Sequence, residues 1–439
     1  KTIFKTLIFL TLRKLHKMNF LELATLLLLL ASLFSIINLR LLKLPQTIGL
    51  MVLAIFLSAG VLLAGQISPD FLKYATSLTE EFDFSVLLID VMLPFLLFAG
   101  AISVNVHELL KDKVTILLLA SFGVIFSTFV VGTGLFWLIE QPFLGLSELG
   151  LSYVDCLLFG SLVAPTDPIA VLAMVKKMNL SSVTETRIAG ESLFNDGIGV
   201  VVFLTLLSIK AEGIDNVTIQ SVGALFATEV IGGIVLGAVM GFLGMKLVKY
   251  IENEHVELEV LITLSLVLLV PVISHIFHFS AVLGVVVMGL FLNQNIDGDD
   301  KVEGIQKVMG DYVYKFWHLL DETLNAILFI LIGLEIIPIL QNFDISYLLI
   351  VIIIIIVVVV SRGIGVFLPI KILSIKKSFE KNTALIITWG GLRGGLSIAL
   401  ALNLPDSIGQ GKDLILILTY GVVLFTILVQ GLTLKKIVK

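Results

Sequence analysis

Apolar runs about as long as a bilayer is thick recur along almost the whole chain, and they constrain its fold more than any other feature. A transmembrane helix needs about 20 mainly apolar residues. Thirteen such stretches can be marked in the 439 residues: roughly 18–39, 44–64, 85–104, 114–138, 154–175, 188–209, 219–245, 258–279, 281–293, 316–340, 346–370, 382–403 and 413–434. Soluble proteins are roughly a quarter charged; here 14% of residues are charged and 58% hydrophobic. The expectation is an all-α, multi-pass integral membrane protein. The lone Cys156 permits no intrachain disulfide, and the six histidines are scattered without metal-site spacing. No G-x-x-x-x-G-K-[ST] phosphate loop occurs, which argues against ATP-driven transport by this chain. Nothing calls for a nucleic-acid partner.

Lysine and arginine collect in cytoplasmic loops of membrane proteins. Nineteen of the 29 basic residues lie in loops after odd-numbered stretches, whereas only Lys73, Lys210 and Lys412 follow even-numbered ones. This places the C-terminus in the cytoplasm and the N-terminus outside, with the plasma membrane as the expected location. Residues 1–17, with five basic residues of their own, run against that bias; their apolar run is too short to span and is either an interfacial helix, which is favoured, or a signal-like leader. Two basic residues remain, Arg362 and Arg393, and both fall inside apolar stretches.

Two stretches carry interruptions. The fifth contains APTDPIAV, residues 164–171, in which Pro165 and Pro168 flank Thr166 and Asp167. Proline removes a backbone donor and clashes with the preceding turn, so two of them break a helix. The twelfth contains WGGLRGGLS, residues 389–397, with four glycines around Arg393. Thirteen stretches divide as six, one and six: a first repeat over 18–209, a linker helix over 219–245 and a second repeat over 258–434. Each interruption is then the fifth element of its repeat, which is the layout of an inverted-repeat secondary transporter with crossed broken helices.

Between the breaks lies a cluster of oxygen-bearing side chains. In GESLFNDG, residues 190–197, Glu191 and Asn195 are spaced i, i+4, as are Ser192 and Asp196. That spacing puts them on one broad helix face. Charged groups inside a membrane are costly and mark ion or proton pathways. Carboxylates, hydroxyls and freed carbonyls suit a hard cation, and a buried aspartate can hold a proton or a cation in turn. Asp196, Asp167, Thr166, Ser192, Asn195 and Glu191 are the candidate cation- and proton-binding residues. Glu191 has two candidate partners, Arg187 one turn earlier and the buried Arg362, of which Arg362 is favoured. Arg393 is placed near the crossing of the breaks. Asp321 and Glu322 take the plainer reading of acids opening the tenth helix, His275 and His278 that of helix-end histidines, and Glu229 has no account.

Four motifs in this order, PTDPIAV, GESLFND, HLLDETLNAILFILIGLEI and WGGLRGGLSIAL, resemble the sodium/proton exchangers of the cation:proton antiporter superfamily, in the NhaP-like, NHE-related branch. The resemblance runs from about residue 18 to 434. It implies thirteen helices with a core transport domain (about 114–209 and 346–434) and a dimerisation domain from the remaining helices. It also implies homodimers and alternating access. Asp196 matches the ion-carrying aspartate; Thr166, Asp167, Glu191 and Ser192 match the rest of the site. Arg362 matches the arginine facing Glu191, and Arg393 the one in the second broken helix. Asn195 before Asp196 implies electroneutral exchange of one Na⁺ or Li⁺ for one H⁺, with no cofactor beyond the transported ions. The chain departs from longer members in stopping at Lys439, so tail-based regulation is either absent or was trimmed away with the tail.

Three other functions compete with sodium/proton exchange. K⁺/H⁺ antiport keeps the same fold. A cation channel would want carbonyl loops or charge rings, and neither is present. An organic-anion symporter would want net positive charge at the site, whereas here Asp167, Glu191 and Asp196 outnumber the two arginines. A membrane-embedded enzyme lacks any nucleophile–base pattern.

Overall fold

The computed structural model describes residues 20–68, 87–167, 171, 181–213, 217–251, 255–296, 305–341 and 347–438. The 1–17 segment, Pro168 and most of the second half of the fifth stretch lie outside these residues. Regular structure among the described residues is entirely helical. By contacts the chain divides into two compact units, one of Lys1–Phe84 and Ala326–Gln341, the other of Ser85–Asn325 and Asn342–Lys439.

In the first unit, α1 (Phe20–Ile37) runs into a short π-helical turn and α2 (Gln46–Ile67) follows. Asn38 closes the connection: its Nδ2 donates to the Leu44 carbonyl at 3.0 Å and its Oδ1 accepts from Leu44 N at 3.2 Å. The short α12 (Ile336–Gln341) also belongs here, and Ser58 Oγ of α2 donates to the Gly333 carbonyl at 2.7 Å.

The second unit contains α3 (Leu93–Ser103), α4 (Val106–Lys111), α5 (Lys113–Ile139), α6 (Tyr153–Val163), α7 (Ser182–Glu212), α8 (Ile219–Tyr250), α9 (Val256–Phe277) and α10 (Ala281–Ile296). Most of α11 (Ile305–Leu334) follows, then α13 (Tyr347–Leu373), α14 (Thr383–Trp389), α15 (Gly395–Leu402), α16 (Gly411–Phe425) and α17 (Gly431–Val438). Side chains set the starts. Ser152 and Asp155 form a capping box on α6, Thr218 and Ser221 one on α8, and Ser181 Oγ accepts from Thr184 N to open α7. At the other end of α9, His278 adopts a left-handed conformation (φ 54°), in keeping with a helix-end histidine.

Among the described residues, nine helices are long and apolar enough to cross a membrane, with shorter apolar helices at Leu87–Ser103, Tyr153–Val163 and Ala281–Asn293. Thirteen crossings were expected; the three shorter helices lie in the third, fifth and ninth of the expected stretches, and the twelfth stretch is interrupted between Trp389 and Gly395. One local reading is corrected. Asp321 and Glu322 do not open a helix, because α11 begins at Ile305 and carries them in its middle.

Packing follows residue size. Gly233, Gly237 and Gly241 of α8 lie against the Ser280–Phe291 face of α10, and a row of small residues lets two membrane helices approach closely. Glu229 is buried on α8, and its carbonyl accepts from Ser280 N at 3.0 Å. The fully buried Trp317 stacks near Phe95 and Phe98 and donates its indole N–H to Thr263 Oγ1 at 3.0 Å.

Candidate functional site

The two interruptions meet. Helix α6 ends at Val163, and Pro165 to Asp167 continue without helical structure. Helix α14 ends at Trp389, and α15 starts at Gly395 after an extended Gly394. Asp167 N donates to the Leu392 carbonyl at 2.7 Å, joining one break to the other. Arg393 is fully buried beside this junction. Its Nε donates to the freed Val163 carbonyl at 2.5 Å, and a second guanidinium N–H donates to the Gly391 carbonyl at 2.7 Å. A cation here offsets the negative carbonyl end of α6. Two glycines are required at the junction. A Cβ on Gly391 would come within 2.7 Å of Arg362 Nε, and one on Gly394 would strike the Asp167 carboxyl group, whose Oδ2 it would approach at 2.5 Å. The Asp167 side chain therefore stands against the start of α15, where the helix dipole favours a carboxylate.

Unbroken α7 passes beside the junction and supplies the rest. Glu191, Ser192, Asn195 and Asp196 are all buried. Asn195 acts as a clamp. Its Nδ2 donates to Thr166 Oγ1 at 2.7 Å and to Glu191 Oε1 at 3.0 Å, while its Oδ1 accepts from Thr166 N at 3.2 Å. Thr166 Oγ1 also lies 3.1 Å from Ser192 Oγ. A carboxylate at position 195 would have no donors for Thr166 and would face Glu191 with like charge. Arg362 of α13 grips Glu191 with both terminal nitrogens, at 2.6 and 2.8 Å, and also reaches the Ile387 carbonyl at 3.3 Å. This is the bidentate geometry of a strong charge-assisted pair. Asp196 lies within electrostatic reach of both Asp167 and Glu191. The structure thus gathers every candidate site residue named from the sequence around one junction.

Two features lay beyond sequence reasoning. Asp321, which accepts from Asn325 Nδ2 at 2.9 Å, interacts electrostatically with Asp167 and so adds an acid to the surroundings of the junction. The other is an ion cluster at the start of α5. Arg187, the other candidate partner of Glu191, pairs instead with Asp112, and Lys377 shares that carboxylate. Arg187 also lies over the Phe379 ring at 4.8 Å from its centroid, and Thr184 Oγ1 donates to Glu380 at 3.0 Å. The cluster fastens α7 and α5 to the segment that leads into the second broken helix.

Burial alone would raise the Asp112 pKa, but bonds from Lys377, Thr115 and Arg187 outweigh it and hold the carboxyl below its ordinary value. A carboxylate depressed in the folded state stabilises fully above its unfolded pKa of about 3.9, and that contribution is lost as pH falls through the lower folded value. Asp112→Asn strands Arg187 without its counter-charge. The expected cost is about 3–5 kcal/mol at neutral pH, shrinking in strong acid. Thermal unfolding in detergent at the two pH values checks it; equal losses at both would refute the assignment.

The fold and the junction can now be set beside known proteins. The transmembrane domain of the sodium/hydrogen exchangers matches residues 27–439. The chain belongs to the sodium/hydrogen exchanger family. The exchanger is 39% identical over 419 residues to the Na(+)/H(+) antiporter NhaP of Pseudomonas aeruginosa, spanning 93% of this chain and 94% of that protein. It is 33% identical over 422 residues to the Na(+)/H(+) antiporter NhaH of Halobacillus dabanensis, spanning 94% and 96%. Its fold is that of the sodium proton antiporter MjNhaP1 from Methanocaldococcus jannaschii, solved at pH 8, with a TM-score of 0.72 at 22% identity over 94% of this chain and 96% of that one. The family is one of transporters and not of enzymes, and the ions carried are its ligands.

Proposed function

We propose that this exchanger swaps one Na⁺ or Li⁺ for one H⁺, with cation and proton competing for Asp196. The relatives named as Na(+)/H(+) antiporters support the ion pair. The charge count of the junction supports the stoichiometry. Asp167, Glu191 and Asp196 carry three negative charges, and Arg362 and Arg393 two positive ones. One monovalent cation, or one proton, brings the buried site to neutrality, and a site in low dielectric resists any other total. Asn195, being neutral, keeps the count at one. Thr166 and Ser192 serve in this reading as hydroxyl ligands for the cation together with Asp196, and Asp167, next to Thr166 on the first break, adds a carboxylate. Glu191 and Arg362 hold the shape.

In this reading the exchanger works as a homodimer in the plasma membrane, with the N-terminus outside and the C-terminus in the cytoplasm. The basic loops support that orientation. Residues of about 114–209 and 346–434 form the moving core, and the other helices the dimerisation domain.

Reconstitution into liposomes with an imposed pH gradient tests the proposal. Na⁺ and Li⁺ are expected to dissipate the gradient at the same rate with the membrane potential clamped or free. Dissipation by K⁺ alone would keep the mechanism and replace the cargo. Voltage-driven cation flux without proton movement would discard antiport.

A further inference from the structure

A cavity of about 220 Å³ opens beside the transport helix, at the end where Lys111 and Lys113 lie. Its walls come from α4, the first turns of α5, α7 and α10. Leu109, Leu117, Phe194, Val287 and Leu290 line it, and its only charged lining residue is Lys113. Asn293 of α10 ties that helix to the end of α3, its Nδ2 donating to the Val104 carbonyl at 2.6 Å and to that of Ala101 at 3.3 Å. The exposed part of the lining is apolar apart from Lys113: Leu110 and Leu117 are 50% and 45% exposed. Within a membrane such a rim faces hydrocarbon rather than water. Lys113 is exposed and has no ion-pair partner among the described residues, whereas neighbouring Lys111 is engaged by Glu108 at 3.2 Å.

We infer that this cavity seats an anionic phospholipid of the cytoplasmic leaflet, one acyl chain among the apolar side chains and its phosphate on Lys113. Three features of the cavity converge on that chemistry. An apolar slot with a single cation at its mouth is complementary to an amphiphile with an anionic head. Its exposed leucines, Leu110 and Leu117, open it sideways to the bilayer, where lipid is the abundant ligand. Lys113 belongs to the basic loops that the charge bias places on the cytoplasmic side, where anionic headgroups draw juxtamembrane lysines. A water-soluble anion gains nothing from the apolar walls, and a neutral apolar molecule makes no use of the lysine. Phe194 immediately precedes Asn195 and Asp196, so the bound chain lies against the helix that carries the site. The inference concerns lipid binding and stands whichever cation is exchanged.

The test takes the full chain from vesicles of equimolar phosphatidylglycerol and phosphatidylcholine and measures retained lipid by native mass spectrometry. Wild type is expected to keep one phosphatidylglycerol per chain in preference to phosphatidylcholine. Lys113→Gln, an exposed change that leaves the fold alone, should cut that preference about fivefold, the weight of one lysine at an anionic surface. Lys435→Gln, elsewhere on the same side, should leave it unchanged. Leu290→Trp, which fills the slot, should remove the retained lipid of either kind, with thermal unfolding confirming that the variant is folded. Glycerol phosphate without acyl chains should fail to compete. An undiminished preference in Lys113→Gln, lipid retained by a folded Leu290→Trp, or displacement by glycerol phosphate would each overturn the assignment.

Discussion

Asp196→Asn should yield a folded protein whose cation-dependent proton flux equals that of protein-free vesicles. Asparagine keeps the size of aspartate and removes its charge. Two consequences follow for transport. The junction's net charge rises from minus one to zero, so an entering cation would leave the buried site positive, and the carboxylate assigned to take the returning proton is gone. The consequence for stability runs the other way. No hydrogen bond of the Asn195 clamp or of the Glu191–Arg362 pair involves Asp196. Deleting a buried charge relieves a desolvation cost rather than adding one. The variant should therefore melt at or above the wild-type temperature in the absence of Na⁺. It should also lose the stabilisation that added Na⁺ gives wild type, since a ligand stabilises only the state that binds it. Residual cation-dependent proton flux in a folded Asp196→Asn would remove Asp196 from its role. A large drop in melting temperature would instead make it a structural residue.

Some of this protein can be read from its sequence and some cannot, for physical reasons. The bilayer demands long apolar helices, so their places are visible as runs of about twenty residues. The breaks are visible because proline and glycine act locally, at Pro165 and around Arg393. The Glu191–Arg362 pair was legible because an arginine in an apolar stretch needs a counter-charge, although Arg187, one turn before Glu191, competed for the same carboxylate. Asp112 offered no such clue. It sits in a Lys-Asp-Lys run between two helices, which reads as a solvated turn, and its partners lie 75 and 265 positions away. Asp321 was misread for a related reason. The apolar run of the tenth stretch begins near it, so it looked like a helix start, but the helix extends back to Ile305 through residues of mixed polarity. Hydropathy marks where lipid ends, and a helix need not end there. The seating of Asp167 against Gly394 depends on how two breaks cross, and no spacing within either motif records that.

The second large effect is expected at the pair itself. Arg362→Gln leaves Glu191 buried with only Asn195 as a donor, and Glu191→Gln leaves Arg362 charged among apolar neighbours of α13. Each single change should cost roughly 3–5 kcal/mol, the penalty of stranding one buried ion. The double variant removes both charges together. It should recover much of that loss, because replacing a buried pair by neutral groups is often close to neutral in stability. A double-mutant cycle on thermal unfolding then returns a strongly favourable coupling energy. Additive losses would mean that the pair does not act as a unit, although the two side chains are in bidentate contact. Transport separates a further role. The two charges cancel, so the double variant keeps the junction at minus one and keeps Asp196 available to a cation or proton. If the pair only holds the geometry, the double variant should regain part of the electroneutral exchange that the single variants lose. If Glu191 itself carries the proton, the double variant should stay inactive despite its recovered stability, and the carrier would have to be assigned to Glu191 instead of Asp196.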